Sequence, residues 1–339
     1  MAGLRIVTTA SAPYDYEKEA LARLDVTFVP CEPDEAALAA AVRDADALYP
    51  TGKITRRVIE AMTKCRVIAL GSVGADYIDV TAATEHGVPV TNVPDTFIEE
   101  VADHAMTLLL AGWRRLVYQD RLVRDGRWRE GRAHLYQFPR LRGQTLGLIG
   151  FGHIPRLVAA RALPFGFRVI AYDPYVEEAE MLRYGVESMG LNDLLAQSDF
   201  VSMHVPGTTE SGGMFGEAEF RRMKPTAIFI NTGRGATVQE AALVTALQQK
   251  WIAGAALDVL EVEPPRQDNA LLQMDNVILT AHVASASSRF DPARKRRVGQ
   301  ELALVFSGRW PMSCVNPSVL EKSGLRRWQP ISMARGPNS

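Results

Sequence analysis

The stretch GLIGFGHIPR, residues 147–156, decides how this 339-residue chain is read. Apolar and small residues lead into Gly150, Phe151 and Gly152, the opening of the pattern G-x-G-x-x-G. A strand that turns tightly on one glycine, and lets a phosphate approach its backbone at the next, opens a nucleotide-binding helix. The third glycine of the pattern belongs at position 155, where the sequence has Pro155. That glycine serves close helix–strand packing rather than phosphate contact. Position 155 falls in the first helical turn, where an N–H has no intrahelical partner and the φ of proline already suits the helix. Pro155 therefore removes no needed donor, and is expected to push the helix slightly outward. The competing reading of these ten residues alone is a tight strand–helix turn that binds nothing.

Working outward, a helical run (IPRLVAARAL) is followed by a second strand pattern, RVIAYD, ending in Asp173. An acid about twenty residues past the glycines is placed to accept hydrogen bonds from the ribose hydroxyls of NAD. It would repel the phosphate of NADP, and the following PYVEE supplies no arginine to hold that phosphate. NAD is the expected cofactor; the alternative for Asp173 is a solvated acid at a strand end. Further buried-strand runs follow: FVSMHV, AIFINT, GAALDV and NVILTA. With TLGLIG and RVIAYD they make six, separated mostly by helical stretches, which suits a doubly wound Rossmann domain.

The first hundred residues show the same alternation in LRIVTT, VTFVP, ALYP, RVIALGS and VPVTNV, which implies a second parallel sheet. A long helical segment is expected from about Glu99 to Val123, then a charged, aromatic loop, RDGRWREGRAHLYQFPRLRG. The polar tail from about Glu321 is expected to be disordered. The chain is 47% hydrophobic and 23% charged, with a net charge of −1, so nothing favours nucleic acid or an anionic membrane. Three widely spaced cysteines (Cys31, Cys65, Cys314) suggest a reducing compartment and no metal site. With no signal-like start and no apolar run of roughly 18 residues, a cytoplasmic location is expected.

Three later strand ends carry chemistry. AIFINTGRG ends at Arg234, GAALDVLEVEPP gives Asp258 and then Glu263, and NVILTAHVASAS ends at His282. In open α/β sheets the site lies at the carboxyl ends of the strands. An arginine there can clamp a carboxylate, a histidine can pass a proton, and an acid can orient the imidazole. Taken singly, each residue has a structural alternative: a satisfied histidine, a turn glutamate, a surface ion pair.

The motifs GSVGADYIDV, VADHAMTLLLA, GLIGFGHI, AYDPY, SDFVSMHVPGTTES, MKPTAIFINTGRG, ALDVLEVEPP and LTAHVA run through roughly residues 40–317. Through them the chain resembles the D-isomer-specific 2-hydroxyacid dehydrogenase family. The resemblance implies an NAD-dependent oxidoreductase acting on the CH–OH group of a small 2-hydroxy acid, with a 2-keto acid as product. Arg234 would bind the acid, and Glu263 would pair with the catalytic His282. Ser72, Val73 and Gly74 would offer the substrate their loop. Cofactor contacts would come from Gly150, Gly152, His153, Ile154, Asp173, His204, Val205, Pro206, Thr232, Gly233 and Asp258. The implied architecture is a Rossmann NAD-binding domain (102–289) inserted into a flavodoxin-like substrate domain (1–101 and 290–339), with a cleft that closes by a hinge. A homodimer is implied too, the long helix contributing to its interface. Ala281 replaces the proline usual before the histidine and is expected to loosen His282. Tyr49, Pro50, Thr51, Lys53 and Phe97 are candidate cleft residues. Two other functions stay open at this point: a dinucleotide-sensing, co-repressor-like regulator, and a dehydrogenase of phosphite or formate.

Overall fold

The computed structural model describes residues 3–133, 138–208 and 210–327. The tail beyond 327 and the loop residues His134 to Gln137 lie outside the described residues. The chain divides into two compact units, one formed by the described residues up to Thr96 together with those from Ser288 onward, the other by Phe97–Ser287.

In the first unit, β1 (Leu4–Thr8), β2 (Val26–Pro30), β3 (Ala47–Tyr49), β4 (Ile68–Ala69) and β5 (Val90–Thr91) form a parallel sheet. Its order, β2-β1-β3-β4-β5, is that of flavodoxin-like doubly wound folds. Val7, Leu48, Ile68 and Val90 are buried on the sheet beneath Val58 and Ile59 of the helix Arg56–Glu60. Apolar burial of this kind, about 25 cal/mol per Å2, is what holds strands as short as β4 in place. Tyr49, proposed above as a cleft residue, is instead wholly buried, as is almost all of Phe97 in the other unit.

In the second unit, β6 (Thr145–Ile149), β7 (Arg168–Tyr172), β8 (Glu187–Ser188), β9 (Phe200–Met203), β10 (Ile228–Asn231), β11 (Gly254–Leu257) and β12 (Val277–Leu279) are all parallel. Their order is β12-β11-β10-β9-β6-β7-β8, the Rossmann order with one further strand beyond β11. Seven strands replace the six expected: β8 is a two-residue edge strand, exposed at both residues, with no apolar run to announce it.

The long helix expected from Glu99 to Val123 is two helices, Ile98–Trp113 and Leu116–Arg124. Arg115 breaks it with a left-handed backbone, φ 50°. The apolar stripe Val101, Ala102, Ala105, Met106, Leu108 and Leu109 packs on the Rossmann sheet with Ile230 and Ala256. Past Trp113 the sequence turns charged, and the chain no longer gains from following that face. The loop expected after it contains a further short helix, Trp128–Ala133.

Candidate active site

The carboxyl ends of the central strands are level. Ile149, Met203, Asn231, Leu257 and Leu279 stand in one row across β6, β9, β10, β11 and β12. Gly150, His204, Thr232, Asp258 and Thr280 therefore form the next row, just beyond the sheet. The switch point of the strand order lies between β6 and β9, where open α/β sheets bind their ligands.

At β6 the turn has the features the sequence predicts. Gly150 has φ 90°, and a Cβ there would press on the carbonyl of His204 at 3.0 Å. Gly152 caps the helix His153–Ala162, and a Cβ on it would meet nothing within 4 Å. That open approach, with the unpaired first-turn amides of His153 and Ile154, fits a pyrophosphate. Pro155 is the third residue of this helix and is buried, in the turn where no N–H is missed.

The carboxylate of Asp173 accepts the amide of Phe151 at 2.8 Å and that of Tyr175 at 2.9 Å, one on each oxygen. Each oxygen retains a lone pair for a ribose hydroxyl. Among the described residues Thr232 Oγ1 is buried without a hydrogen-bond partner, an orphan that a bound nucleotide would satisfy. These features fit NAD.

His204 Nε2 lies 2.9 Å from Ser202 Oγ, and burial pushes its pKa down to about 3. It is therefore neutral in the native state while an unfolded chain would protonate it. Stability linked to His204 is fully present above about pH 6.5 and is lost as pH falls from there towards about 3. His204→Gln, which keeps an amide donor, is expected to flatten that part of a thermal-stability profile against pH; an unchanged acid slope would contradict this.

The candidate acid–base pair, Glu263 and His282, stands on the loops after β11 and β12. His282 Nδ1 is 2.7 Å from Glu263 Oε2, and the amide of Leu260 donates to Glu263 Oε1 at 2.9 Å. A carboxylate only accepts, so Nδ1 carries hydrogen and Nε2 is left to face a substrate. Among the described residues Nε2 has no partner, and the imidazole is half-exposed.

Asp258 follows β11 directly, in the row just beyond the sheet. Its side chain is fully buried. It accepts the hydroxyl of Thr280 at 2.5 Å and the amides of Val283 and Ala284 at 2.9 and 2.8 Å. It shapes the His282 loop. The loosening expected from Ala281 is opposed here, because the amide of His282 also donates to the Asp258 carbonyl at 2.9 Å.

Arg234 follows β10. Its carbonyl is held by Asn231 Nδ2 at 3.1 Å and by Thr237 Oγ1 at 2.6 Å, and its Nη1 donates to the Gly233 carbonyl at 2.8 Å. In the first unit, the loop after β4 is pinned by Ser72 Oγ to the Gly74 carbonyl (2.8 Å) and by Asn92 Nδ2 to the Val73 carbonyl (2.7 Å). The amides of Val73 and Gly74 have no partner among the described residues. Sequence reasoning missed His104 and Thr280, which meet in the second unit; the signal available was a single histidine inside the mostly apolar run VADHAMTLLLA.

A fold of this order with such an acid–base pair defines a nucleotide-dependent oxidoreductase. The model of the D-isomer specific 2-hydroxyacid dehydrogenase NAD-binding domain matches residues 106–284. A glyoxylate reductase of Korarchaeum cryptofilum is 42% identical over 301 residues, which are 88% of this chain and 91% of that protein. A D-3-phosphoglycerate dehydrogenase of Archaeoglobus fulgidus is 36% identical over 279 residues, 82% of this chain and 52% of that protein. The crystal structure of an NADPH-dependent glyoxylate/hydroxypyruvate reductase from Sinorhizobium meliloti, in complex with NADP and malonate, superposes with a TM-score of 0.81 at 34% identity, covering 97% of this chain and 100% of that one. The chain belongs to the D-isomer-specific 2-hydroxyacid dehydrogenase family. It is an oxidoreductase acting on CH–OH donors, with a Rossmann NAD-binding domain inserted into a flavodoxin-like domain. The regulator and the phosphite or formate dehydrogenase are not favoured.

Proposed function

We propose that the protein reduces a small 2-keto acid of the glyoxylate or hydroxypyruvate kind, with NADH preferred over NADPH. The observation that carries this reading is the Glu263–His282 pair, with Nδ1 committed and Nε2 open. When bound, the dinucleotide supplies the hydride. His282 holds the acid proton at Nε2 and passes it to the carbonyl oxygen of the substrate. Glu263 keeps the imidazole in the tautomer that allows this. Arg234 clamps the substrate carboxylate, and Ser72, Val73 and Gly74 are proposed as further substrate contacts. A fixed positive charge at the place where alkoxide charge develops lowers the barrier without reorganisation.

The names of the relatives support the substrate class, and Asp173 supports NADH. A carboxylate beside the extra phosphate of NADPH is a like-charge contact costing several kcal/mol. Gly150, Gly152, His153, Ile154, His204, Val205, Pro206, Thr232 and Gly233 are proposed cofactor contacts. A homodimer is the proposed assembly, supported by exposed Leu116, Val117, Val123 and Trp128 on neighbouring helices. Three free cysteines support a cytoplasmic location; among the described residues no helix is long and apolar enough to cross a membrane.

The test is nucleotide oxidation by purified protein with glyoxylate, hydroxypyruvate, pyruvate and phenylpyruvate, each with NADH and with NADPH. Turnover of the two smaller hydrophilic acids, roughly 100-fold better with NADH in kcat/KM, is expected. Equal use of NADPH would overturn the role of Asp173, and no turnover of any 2-keto acid would overturn the reading.

A further inference from the structure

The motif VADHAMTLLLA puts one histidine in a mostly apolar helical run, and the mechanism above does not use it. His104 lies in the helix Ile98–Trp113, between buried Val101, Ala105 and Leu108. Its Nε2 is 3.0 Å from Thr280 Oγ1 and 3.5 Å from Asp258 Oδ1. Thr280 Oγ1 is in turn 2.5 Å from the same Oδ1. Asp258 can only accept, so the hydroxyl hydrogen of Thr280 points to it. The hydroxyl oxygen is then left to accept from His104 Nε2–H. Donors therefore run one way, from the helix through Thr280 to Asp258.

At its far end this relay meets the turn that carries His282. His282 has φ 53°, a left-handed backbone that non-glycine residues adopt only where the surroundings enforce it. Asp258 binds the backbone of three successive residues here. The carbonyl of Asp258 takes the amide of His282, and its carboxylate takes the amides of Val283 and Ala284. Among the described residues, His104 is the only basic side chain within 4.0 Å of that buried carboxylate. A buried carboxylate that loses a donor is held less firmly, and that loosening would release the amides it holds.

We propose that His104 is a positioning residue for His282, acting through Thr280 and Asp258 on the left-handed turn. The inference deepens the reading of His282 as the acid–base group and rests on it. His104→Leu removes the donor, and His104→Gln restores an Nε2–H in nearly the same place. Thr280→Val cuts the relay without touching the helix, and so serves if the leucine variant does not fold. Hydrogen–deuterium exchange across residues 278–287 is expected to quicken about tenfold in His104→Leu and Thr280→Val and to stay at the wild-type rate in His104→Gln, with β6 and β9 unchanged. With glyoxylate, kcat is expected to fall about 10- to 100-fold in the first two variants, KM for NADH being kept, and to recover in the glutamine variant. Unchanged loop exchange in both disrupting variants would overturn the proposal. So would a glutamine variant as impaired as the leucine one, which would reduce His104 to packing. A wild-type protein that turns over no 2-keto acid would instead sink the proposed function, while the exchange measurement would still decide whether His104 holds the turn.

Discussion

His282→Ala is expected to lower kcat for 2-keto acid reduction by about 10²–10⁴-fold, the usual contribution of a positioned acid or base. That is about 3–5 kcal/mol of barrier. NADH affinity should be unchanged, because the imidazole stands on the loop after β12, while the proposed nucleotide contacts cluster at the turns after β6, β7, β9 and β10. The split between kcat and cofactor binding is what identifies an acid–base group rather than a binding residue. Glu263→Gln should follow with a smaller loss. Its amide nitrogen, turned towards Nδ1, no longer requires hydrogen on that atom, and the imidazole then spends part of its time in the wrong tautomer. The two reaction directions draw on opposite forms of the imidazole. Both directions should therefore slow in His282→Ala. Stopped-flow reduction at saturating NADH reads the chemical step. An alanine variant that kept wild-type kcat there would remove His282 from catalysis.

Why the acid–base pair was legible in the sequence, and its support was not, follows from the range of the contacts. Arg234, Glu263 and His282 each sit just past a buried apolar run, so recognising β10, β11 and β12 places them on the right edge of the sheet. The choice between Asp258 and Glu263 as the partner of the histidine was not decided by position alone, since both follow β11. The geometry assigns them different work: Glu263 takes the side chain, and Asp258 takes the backbone around it.

His104 is 176 residues from Thr280 in the chain, and no local pattern reports a contact of that range. Secondary structure shows the same division. β6 is buried at all five residues and was unmistakable, whereas β8 is exposed and pairs only at the edge of the sheet. The break at Arg115 escaped because neither glycine nor proline marks it, and because apolar residues continue at helical spacing through Leu116 and Val117. Pro155, the apparent fault in the fingerprint, stands in the first helical turn where the orphaned donors led the sequence reading to place it.

Gly235→Ala is expected to destabilise the Rossmann unit by about 3 kcal/mol, the upper part of the range for overpacking a filled site. A methyl group there would stand 1.8 Å from the carbonyl oxygen of Leu260, 2.0 Å from its carbon and 2.7 Å from the amide of Glu261. These are backbone atoms, and no side chain can swing away to make room. The Leu260–Glu261 peptide is itself held on both sides. The amide of Glu261 donates to Glu240 Oε2 at 3.2 Å, and the amide of Glu240 donates back to Glu261 Oε2 at 3.0 Å. Moving the peptide also pulls the Leu260 amide from Glu263, and with it one of the two contacts that aim Glu263 at His282.

The variant should thus lose activity even where it stays folded. Its melting temperature should fall by about 6–12 °C for a unit of this size. Gly152→Ala makes the contrast, since its methyl group would meet nothing within 4 Å. It should melt like the wild type and lose NADH binding, because only the incoming phosphate needs that space. Calorimetry together with NADH fluorescence titration on the pair separates a glycine needed for packing from one needed for ligand approach. If Gly235→Ala melted and turned over as the wild type does, the close approach of the Arg234 and Leu260 segments would be wrong, and with it the anchoring of Glu263.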